Sequence, residues 1–306
     1  MQTRDIANNN SIREILRTHA EWLPNKSGEG RCILDGASLN GMNLTGADLQ
    51  CAVVRDTTLL DSELSDSKFA EATIAGADFH RALLGNADLS GAQISETDFS
   101  FSWMAGASLA DAKIRKSVFR KTNLRGARFQ GAVLEGCNFP GANLGAGSFH
   151  QCRIKLCDFS ESDLTDAQFV RAQIEGSRFH AANGPDANFS YCRLKACDFT
   201  RADLTRARFP QADFTGSQLD RVRMREADLR GAQLASVSLC RADLCGARFG
   251  KAALFAADLR GADLTGAREL TSQQLTQART DQDTILPNGS HGPYRRNSGA
   301  ERAANR

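Results

Sequence analysis

The chain has 306 residues, of which 41% are hydrophobic and 24% are charged, and its formal net charge is +2. This near balance argues against a strongly basic nucleic-acid-binding protein and against a wholly acidic mimic of DNA. No apolar run reaches the roughly 20 residues of a membrane-spanning helix, and residues 1–23 lack the apolar stretch of a secretory signal. Nine cysteines without CxxC spacing favour a reducing compartment, so we expect a cytoplasmic protein.

The N-terminal segment, residues 1–30, contains one predicted helix. Ser11 and Glu14 have the spacing of a capping box, which starts a helix over about 11–22. Its apolar face comprises Ile12, Ile15, Leu16, His19 and Leu23. We expect this helix to cap the region that follows, with His19 and Trp22 as packing residues.

A five-residue repeat occupies residues 31–268. Starting at Leu34, every fifth residue up to Leu264 is a repeat centre, and 46 of the 47 centres are Leu, Phe, Ile, Met or Val. The residue two before each centre is small, and the one between them is polar. Because side chains alternate along an extended chain, the small residue and the centre point inward and the polar residue points outward. The other two residues suit a turn.

A second period of twenty residues sorts these centres into four columns. The first is aliphatic, as in Ile74, Ile94 and Ile114, and the second is aromatic, as in Phe79, Phe99 and Phe119. The third is mainly Leu, and the fourth is again rich in Phe. The period predicts that residue i stacks on residue i+20, so that four pentapeptides close one coil and the two Phe columns face each other. Arg115 and Glu135 begin a row of alternating charges that fits the same spacing.

This pattern closely resembles the pentapeptide-repeat family, whose A(D/N)LXX motif recurs here, for example at 47–49, 87–89 and 202–204. The resemblance implies an all-β solenoid, a right-handed quadrilateral β-helix, and the repeat count predicts about 12 coils. It also implies a bacterial, non-enzymatic binding protein. Some members mimic DNA and protect type II topoisomerases from toxins and quinolones.

The repeat ends at Glu269, and a second cap is expected over 269–287. Thr271 and Gln274 form a capping-box pattern that starts a short helix, and an extended piece follows at 285–287. The rest, 288–306, has little to bury, and we expect it to be disordered. Gly184 is the one centre without an apolar side chain, and we expect Gly184→Leu to fill its column and stabilise the fold.

No catalytic, cofactor-binding or metal-binding constellation is evident, so we expect no enzyme and no cofactor. The sequence contains no P-loop, nucleophile-elbow or HExxH motif. Six cysteines occupy the small inward position and are expected to be buried. The remaining three, Cys51, Cys240 and Cys245, are expected to be more exposed and reactive.

Two surfaces are candidates for binding. Leu83 and Trp103 occupy outward positions twenty residues apart, and Phe101 lies at the adjoining turn, which predicts a contact site for a partner or a second copy of the chain. Charge is also uneven, with 12 acidic and 4 basic residues over 31–111 but 16 acidic and 25 basic residues over 112–268. A basic run begins this second part and predicts an electrostatic docking surface: Lys113, Arg115, Lys116, Arg120, Lys121, Arg125 and Arg128.

Three functions remain open at this stage. The leading one is a scaffold that binds a protein of unknown identity through flat faces, with homodimer formation included. The second, implied by the resemblance, is a DNA-mimic modulator of a type II topoisomerase. The third is nucleic-acid or anionic-surface binding by the basic C-terminal coils, which we rank last because aromatic stacking positions are not evident there.

Overall fold

The computed structural model describes residues 9–296 and 298–303. The chain is an all-β parallel solenoid with little helix, and it divides into two compact units, Met1–Phe149 and His150–Arg306. The repeat region expected over 31–268 is therefore shared between the two units. In the part of the chain that is described, neither helix has the length and apolar character that a membrane crossing requires.

Among its described residues, the first unit has one helix, α1 (Asn9–Trp22), followed by six three-residue strands. The helix includes Ser11, so it starts before the predicted capping residue. These strands pair in parallel with a register of twenty residues, so that Leu34 lies beside Val54 and Ile114 lies beside Leu134. The strands are β1 (Ile33–Asp35), β2 (Val53–Arg55), β3 (Thr73–Ala75), β4 (Gln93–Ser95), β5 (Lys113–Arg115) and β6 (Val133–Glu135). They form the first column of the sequence pattern.

The second unit repeats this arrangement with three strands and a helix. These are β7 (Arg153–Lys155), β8 (Gln173–Glu175), β9 (Arg193–Lys195) and α2 (Ser272–Gln277). In both units the other three columns pair through isolated bridges with the same register, as in Ser38 with Thr58 and Gln168 with Asn188. The twenty-residue period of the sequence is thus a backbone register.

The core consists of the repeat centres and the small residues two before them. In the second column, the rings of Phe79 and Phe99 stack with centroids 4.9 Å apart, and those of Phe119 and Phe139 with centroids 4.6 Å apart. The rings of the fourth column meet them edge-on, as Phe129 meets Phe139 at 6.4 Å. The two Phe columns therefore face each other, with the offset-stacked and edge-to-face contacts that aromatic rings favour.

Outward Asp and Asn residues build the turns between the sides. The carboxylate of Asp78 accepts a hydrogen bond from the backbone N–H of His80 at 2.9 Å, and Asp98 does the same for Ser100 at 2.7 Å. Each turn then places one residue in the left-handed region, such as Asp56 with φ of +46°. The many Asp residues of the sequence therefore have a structural role, because an Asx turn fixes the corner that follows it.

Helix α1 is fastened to the first coils by a buried histidine. The backbone N–H of Cys32 donates to His19 Nδ1 at 3.0 Å, so Nε2 carries the proton and donates to the carbonyl oxygen of Gln50 at 3.0 Å. The bond from Cys32 requires a neutral imidazole, because a protonated Nδ1 cannot accept a hydrogen bond. Burial lowers the pKa of His19, and the nearby Arg31 acts in the same direction, whereas Asp48 acts against it.

Helix α2 closes the second unit with the predicted capping box. The Thr271 hydroxyl accepts from the Gln274 N–H, while the Gln274 side chain accepts from the Thr271 N–H. The Gln274 amide also donates to the carbonyl oxygens of Phe249 and Ala252, each at 2.9 Å, which fixes the helix to the last coil. Beyond it, Ile285 pairs in parallel with Asp263, 22 residues earlier, so the ladder continues although two residues are inserted into the register.

The C-terminal tail differs from the expected disorder. The Tyr294 hydroxyl lies 2.7 Å from Ser272 Oγ and 2.8 Å from Glu301 Oε2, and Ala300 is buried. A single tyrosine supplies an apolar ring with a polar end, and this anchors a segment whose composition is otherwise that of a disordered tail. Residues 304–306 of this tail and residues 1–8 of the N-terminal segment lie outside the described residues.

Gly184 leaves no cavity for the leucine that its column lacks. A Cβ atom on Gly184 would lie 3.3 Å from Leu164 Cβ and 3.3 Å from Leu204 Cδ2, so the neighbouring side chains already fill the space. The backbone pairing also continues through this position, where the Gly184 N–H donates to the carbonyl oxygen of Asp203 at 2.7 Å.

We therefore predict that Gly184→Leu destabilises the second unit, contrary to the expectation from the sequence. Forcing extra carbon atoms into a filled core costs about 1–3 kcal/mol. Thermal unfolding followed by circular dichroism should show a lower melting temperature, with Gly184→Ala falling between the leucine variant and the unaltered chain. A melting temperature above that of the unaltered chain would show that the space is open.

A second prediction concerns pH and helix α1. Because the folded pKa of His19 lies below its unfolded value of about 6.5, the folded state binds fewer protons. The contribution of His19 to the free energy of unfolding should therefore be constant above that value and should fall as pH decreases below it. Urea unfolding between pH 8 and pH 5 measures this, and His19→Gln should remove the corresponding part of the decrease. An identical decrease in the His19→Gln variant would assign it to other groups.

Candidate protein-binding surface

The three apolar residues singled out in the sequence lie together on the surface of the first unit. Leu83 and Trp103 are bridge partners on consecutive coils of the third column, and the Leu84 N–H donates to the Trp103 carbonyl oxygen at 2.7 Å. Leu83 is 45% exposed, Phe101 46% and Trp103 53%. We call these three residues the apolar patch.

Gly85, which has no side chain, leaves space for the Trp103 ring. Gly85 lies one coil earlier, and a Cβ atom there would be 3.6 Å from Cδ1 and 3.7 Å from Nε1 of Trp103, so the indole lies over the glycine. Phe101 occupies a turn position with φ of +59°, and its ring centroid lies 5.1 Å from that of His80. The patch therefore rests on the coil before it and leaves its outer faces open.

The charges beside the patch follow one row of turns. Arg81 lies one coil before Phe101 and holds Asp61 through two hydrogen bonds of 2.7 and 2.6 Å. The hydrogen bond from Arg81 lowers the pKa of Asp61, so that carboxylate stays ionised and paired. Lys121 lies one coil after Phe101 in the same row. The patch thus has a neutralised pair on one side and a basic side chain on the other.

The basic run expected as one docking surface is spread over all four columns. Lys113, Arg115 and Lys116 belong to the first column, Arg120 and Lys121 to the second, Arg125 to the third and Arg128 to the fourth. A run of sixteen residues covers most of one coil, so it winds around the molecule. Neighbours in sequence therefore do not form one face.

Two members of the run are also paired. Arg115 lies 3.3 Å from Glu135, and Lys116 lies 3.6 Å from Glu96. Within residues 9–296 and 298–303, Arg120, Lys121 and Arg125 form no ion pair, and they share the second and third columns with the apolar patch. These three residues are the part of the run that can act together with the patch.

One cluster in the second unit has the composition of a metal site. Asp243, Cys245 and Asp263 offer ligand atoms within 4.8 Å of one another. However, Asp243 is paired with Arg225 at 2.5 Å, and Asp263 accepts from the Thr265 hydroxyl at 2.6 Å. Burial raises the pKa of the Cys245 thiol to about 12, which opposes formation of the thiolate that binds metals. We assign no metal function to it.

An open groove of about 740 Å³ lies in the second unit between the last coils and residues 281–283. Arg221, Arg241 and Arg260 line it together with three aspartates, so its charges balance. Arg260 is held by Asp258, and Asp281 accepts from the Gly261 N–H at 2.9 Å. Because the charges of the groove balance and some are already paired, we assign no ligand to it. It was not predicted because its residues come from separate coils.

The cysteines are free thiols, and one of them departs from expectation. Cys51 was expected to be exposed, but it is buried, and its thiol donates to Glu71 Oε2 at 3.4 Å. Cys51 is the left-handed residue of its turn. His19 of α1 donates to the Gln50 carbonyl oxygen of this turn, and Arg31 donates to the Cys51 carbonyl oxygen, contacts that the repeat pattern does not reveal. Burial raises the pKa values of Cys192 and Cys197 to about 12.

The fold is a β-solenoid built on a five-residue period. A model of the pentapeptide repeats matches eight stretches of the chain: residues 30–59, 62–100, 102–141, 142–180, 162–201, 186–221, 197–234 and 232–268. Because these matches span most of the sequence, the chain belongs to the pentapeptide-repeat family.

Solved structures of other pentapeptide-repeat proteins resemble the chain. HetL from the cyanobacterium Nostoc, which is involved in heterocyst differentiation regulation, is 24% identical over 92% of this chain and 98% of its own, with a TM-score of 0.33. A trypsin-treated variant of QnrB1, a plasmid-mediated fluoroquinolone resistance protein, is 21% identical over 62% of this chain and 90% of its own, also with a TM-score of 0.33. No curated protein matches.

A labelling prediction follows from the burial of the thiols. In the native chain, a maleimide should modify only Cys240 and Cys245, and slowly, because the other seven cysteines are buried and the pKa values of these two are raised by desolvation. Mass spectrometry should find at most two labels in buffer and nine in denaturant. Rapid labelling of Cys51 in the native chain would contradict the contact with Glu71.

Proposed function

We propose that this protein is a non-catalytic scaffold that binds a protein partner through the apolar patch. The observation that carries the proposal is the contiguous exposure of Leu83, Phe101 and Trp103 within a repeat whose other outward positions are mostly polar. Exposed apolar groups gain free energy when a partner covers them, and tryptophan is enriched among the residues that dominate binding energy.

The basic residues beside the patch support an electrostatic contribution. Arg120, Lys121 and Arg125 extend the surface by one coil in the direction of increasing residue number, so a partner with apolar residues followed by acidic ones is complementary to it. Such charges accelerate association and set its orientation more than they raise affinity.

We further propose the finer architecture that the repeat predicts, a right-handed quadrilateral β-helix of about 12 coils. Its support is that, within each unit, a stretch of twenty residues makes four pairings to the next, for example at Leu34, Ser38, Asn43 and Asp48. Flat sides of this kind suit a docking scaffold. A crystal structure of the whole chain would test the cross-section and the coil count.

The cytoplasm is the compartment that we propose, in a bacterial cell. It is supported by the nine cysteines, all of which are free thiols, because disulfides form readily in secreted proteins. Fractionation of cells that express the tagged protein tests the compartment.

Modulation of a type II topoisomerase is the alternative that family membership favours. Acidic surfaces that mimic DNA are needed for it, and only residues 31–111 carry a large acidic excess. A gyrase supercoiling assay with and without ciprofloxacin discriminates between the two functions. Protection of the enzyme by the purified protein would favour the alternative, whereas no effect at a large molar excess would favour the scaffold.

The scaffold proposal predicts that Leu83→Ser combined with Trp103→Ser abolishes binding while leaving the fold intact. Loss of two anchoring side chains typically weakens a complex by a factor of 100 or more, at about 2 kcal/mol or more for each. Affinity capture from cells of the source organism, together with the solution mass, measures the loss. A homodimer would appear as a doubled mass that the double variant halves.

The matched control is Ile33→Ser. Ile33 is 50% exposed and lies in the same unit, but it stands outside the apolar patch. This variant should retain the partner and the mass of the unaltered chain. If the double variant keeps the same partners and the same mass, the apolar patch is not the binding surface.

A further inference from the structure

Charge in the second unit is segregated by column. Between His150 and Arg268, the first and fourth columns together carry 10 basic and 3 acidic residues, whereas the second and third carry 8 basic and 12 acidic residues. The first and fourth columns follow each other along the chain and share a row of turns. We call these two columns of the second unit the basic face. Charge counted along the sequence hides this difference, because the chain passes to another column every five residues.

Most of the cations on the basic face lack an acidic partner. Arg230 is paired with Asp228, and Arg248 with Glu269. Among the described residues, the other eight form no ion pair within 4.0 Å. These eight are Arg153, Lys155, Arg171, Arg193, Lys195, Arg208, Lys251 and Arg268. By contrast, arginines of the third column, such as Arg206 and Arg223, are paired with aspartates.

The exposed apolar side chains of this unit lie on the same face. Tyr191, which is 57% exposed, belongs to the fourth column. Phe255, which is 65% exposed, and Leu156 belong to the first column. The Arg171 guanidinium lies 6.0 Å from the centroid of the Tyr191 ring, one coil away in the same row of turns. Aromatic rings and unpaired cations therefore coincide, which the sequence pattern alone did not show.

We propose that the basic face binds single-stranded nucleic acid. Unpaired arginines and lysines neutralise backbone phosphates, and exposed aromatic rings provide platforms on which unpaired bases stack. A base can stack on the Tyr191 ring beside the Arg171 guanidinium, which a polyanion without rings cannot do. The proposal is independent of the apolar patch, which lies in the first unit.

Binding of fluorescein-labelled dT20 and rU20, followed by anisotropy between 50 and 200 mM NaCl, tests the proposal. The unaltered chain should bind both, with an affinity that falls as salt rises. Replacing Arg171, Arg193 and Arg208 by Gln should reduce the slope of log affinity against log salt by about 2, since each phosphate contact contributes about 0.7. Tyr191→Ala should weaken binding by about 5- to 150-fold, the equivalent of losing one stacked base.

The matched control removes three arginines from the second column, Arg201→Gln with Arg221→Gln and Arg241→Gln. These residues are exposed, and within the described residues they form no ion pair, so the net charge changes equally. The control should bind as the unaltered chain does. Equal weakening by both triple variants would reduce the effect to net charge and overturn the proposal.

Other outcomes also overturn it. No binding of dT20 or rU20 at 50 mM NaCl would do so, as would tighter binding of phosphatidylserine vesicles or poly-glutamate than of either oligonucleotide. The combination of Leu83→Ser and Trp103→Ser should leave oligonucleotide binding unchanged. This separates the proposal from the scaffold function, because each can fail while the other stands.

Discussion

The register of twenty residues between neighbouring coils is the constraint on which the rest of the structure depends. Backbone groups make it, as when the Leu39 N–H donates to the Thr58 carbonyl oxygen at 2.8 Å and the Thr58 N–H donates to Ala37 at 2.9 Å. Since these bonds bring equivalent positions together, each inward side chain must pack against another of similar shape. Stacked rings such as Phe99 and Phe119, with centroids 5.0 Å apart, satisfy that requirement.

Inward and outward positions have different roles, and this explains how such a regular fold can acquire distinct binding surfaces. Inward residues hold the coils together, and Asp and Asn residues fix the turns. The remaining outward positions are free to vary. On the first unit this freedom places Leu83 beside Trp103, and on the second it collects Arg171, Tyr191 and Arg193 on adjoining columns. Each surface contains one pair of residues twenty apart, Leu83 with Trp103 and Arg171 with Tyr191.

The sequence predicted the solenoid, the first helix and the second capping box because each depends on local or strictly periodic patterns. It predicted the apolar patch for the same reason, since Leu83 and Trp103 are one period apart in the chain. Its predictions were less accurate where packing intervenes. The neighbours of Gly184 fill its place, Cys51 is covered, and Tyr294 anchors part of the tail.

By itself, the sequence determined the solenoid and which positions of the five-residue repeat point inward, because a period of five within a period of twenty permits few other arrangements. Only the tertiary structure decided which charges form ion pairs and which unpaired charges cluster on one surface. Lys116 forms an ion pair with Glu96 one coil away, whereas the Arg171 guanidinium lies over the ring of Tyr191. The physical reason is that an ion pair or a ring contact depends on side-chain conformation across coils, and residue spacing does not specify that conformation.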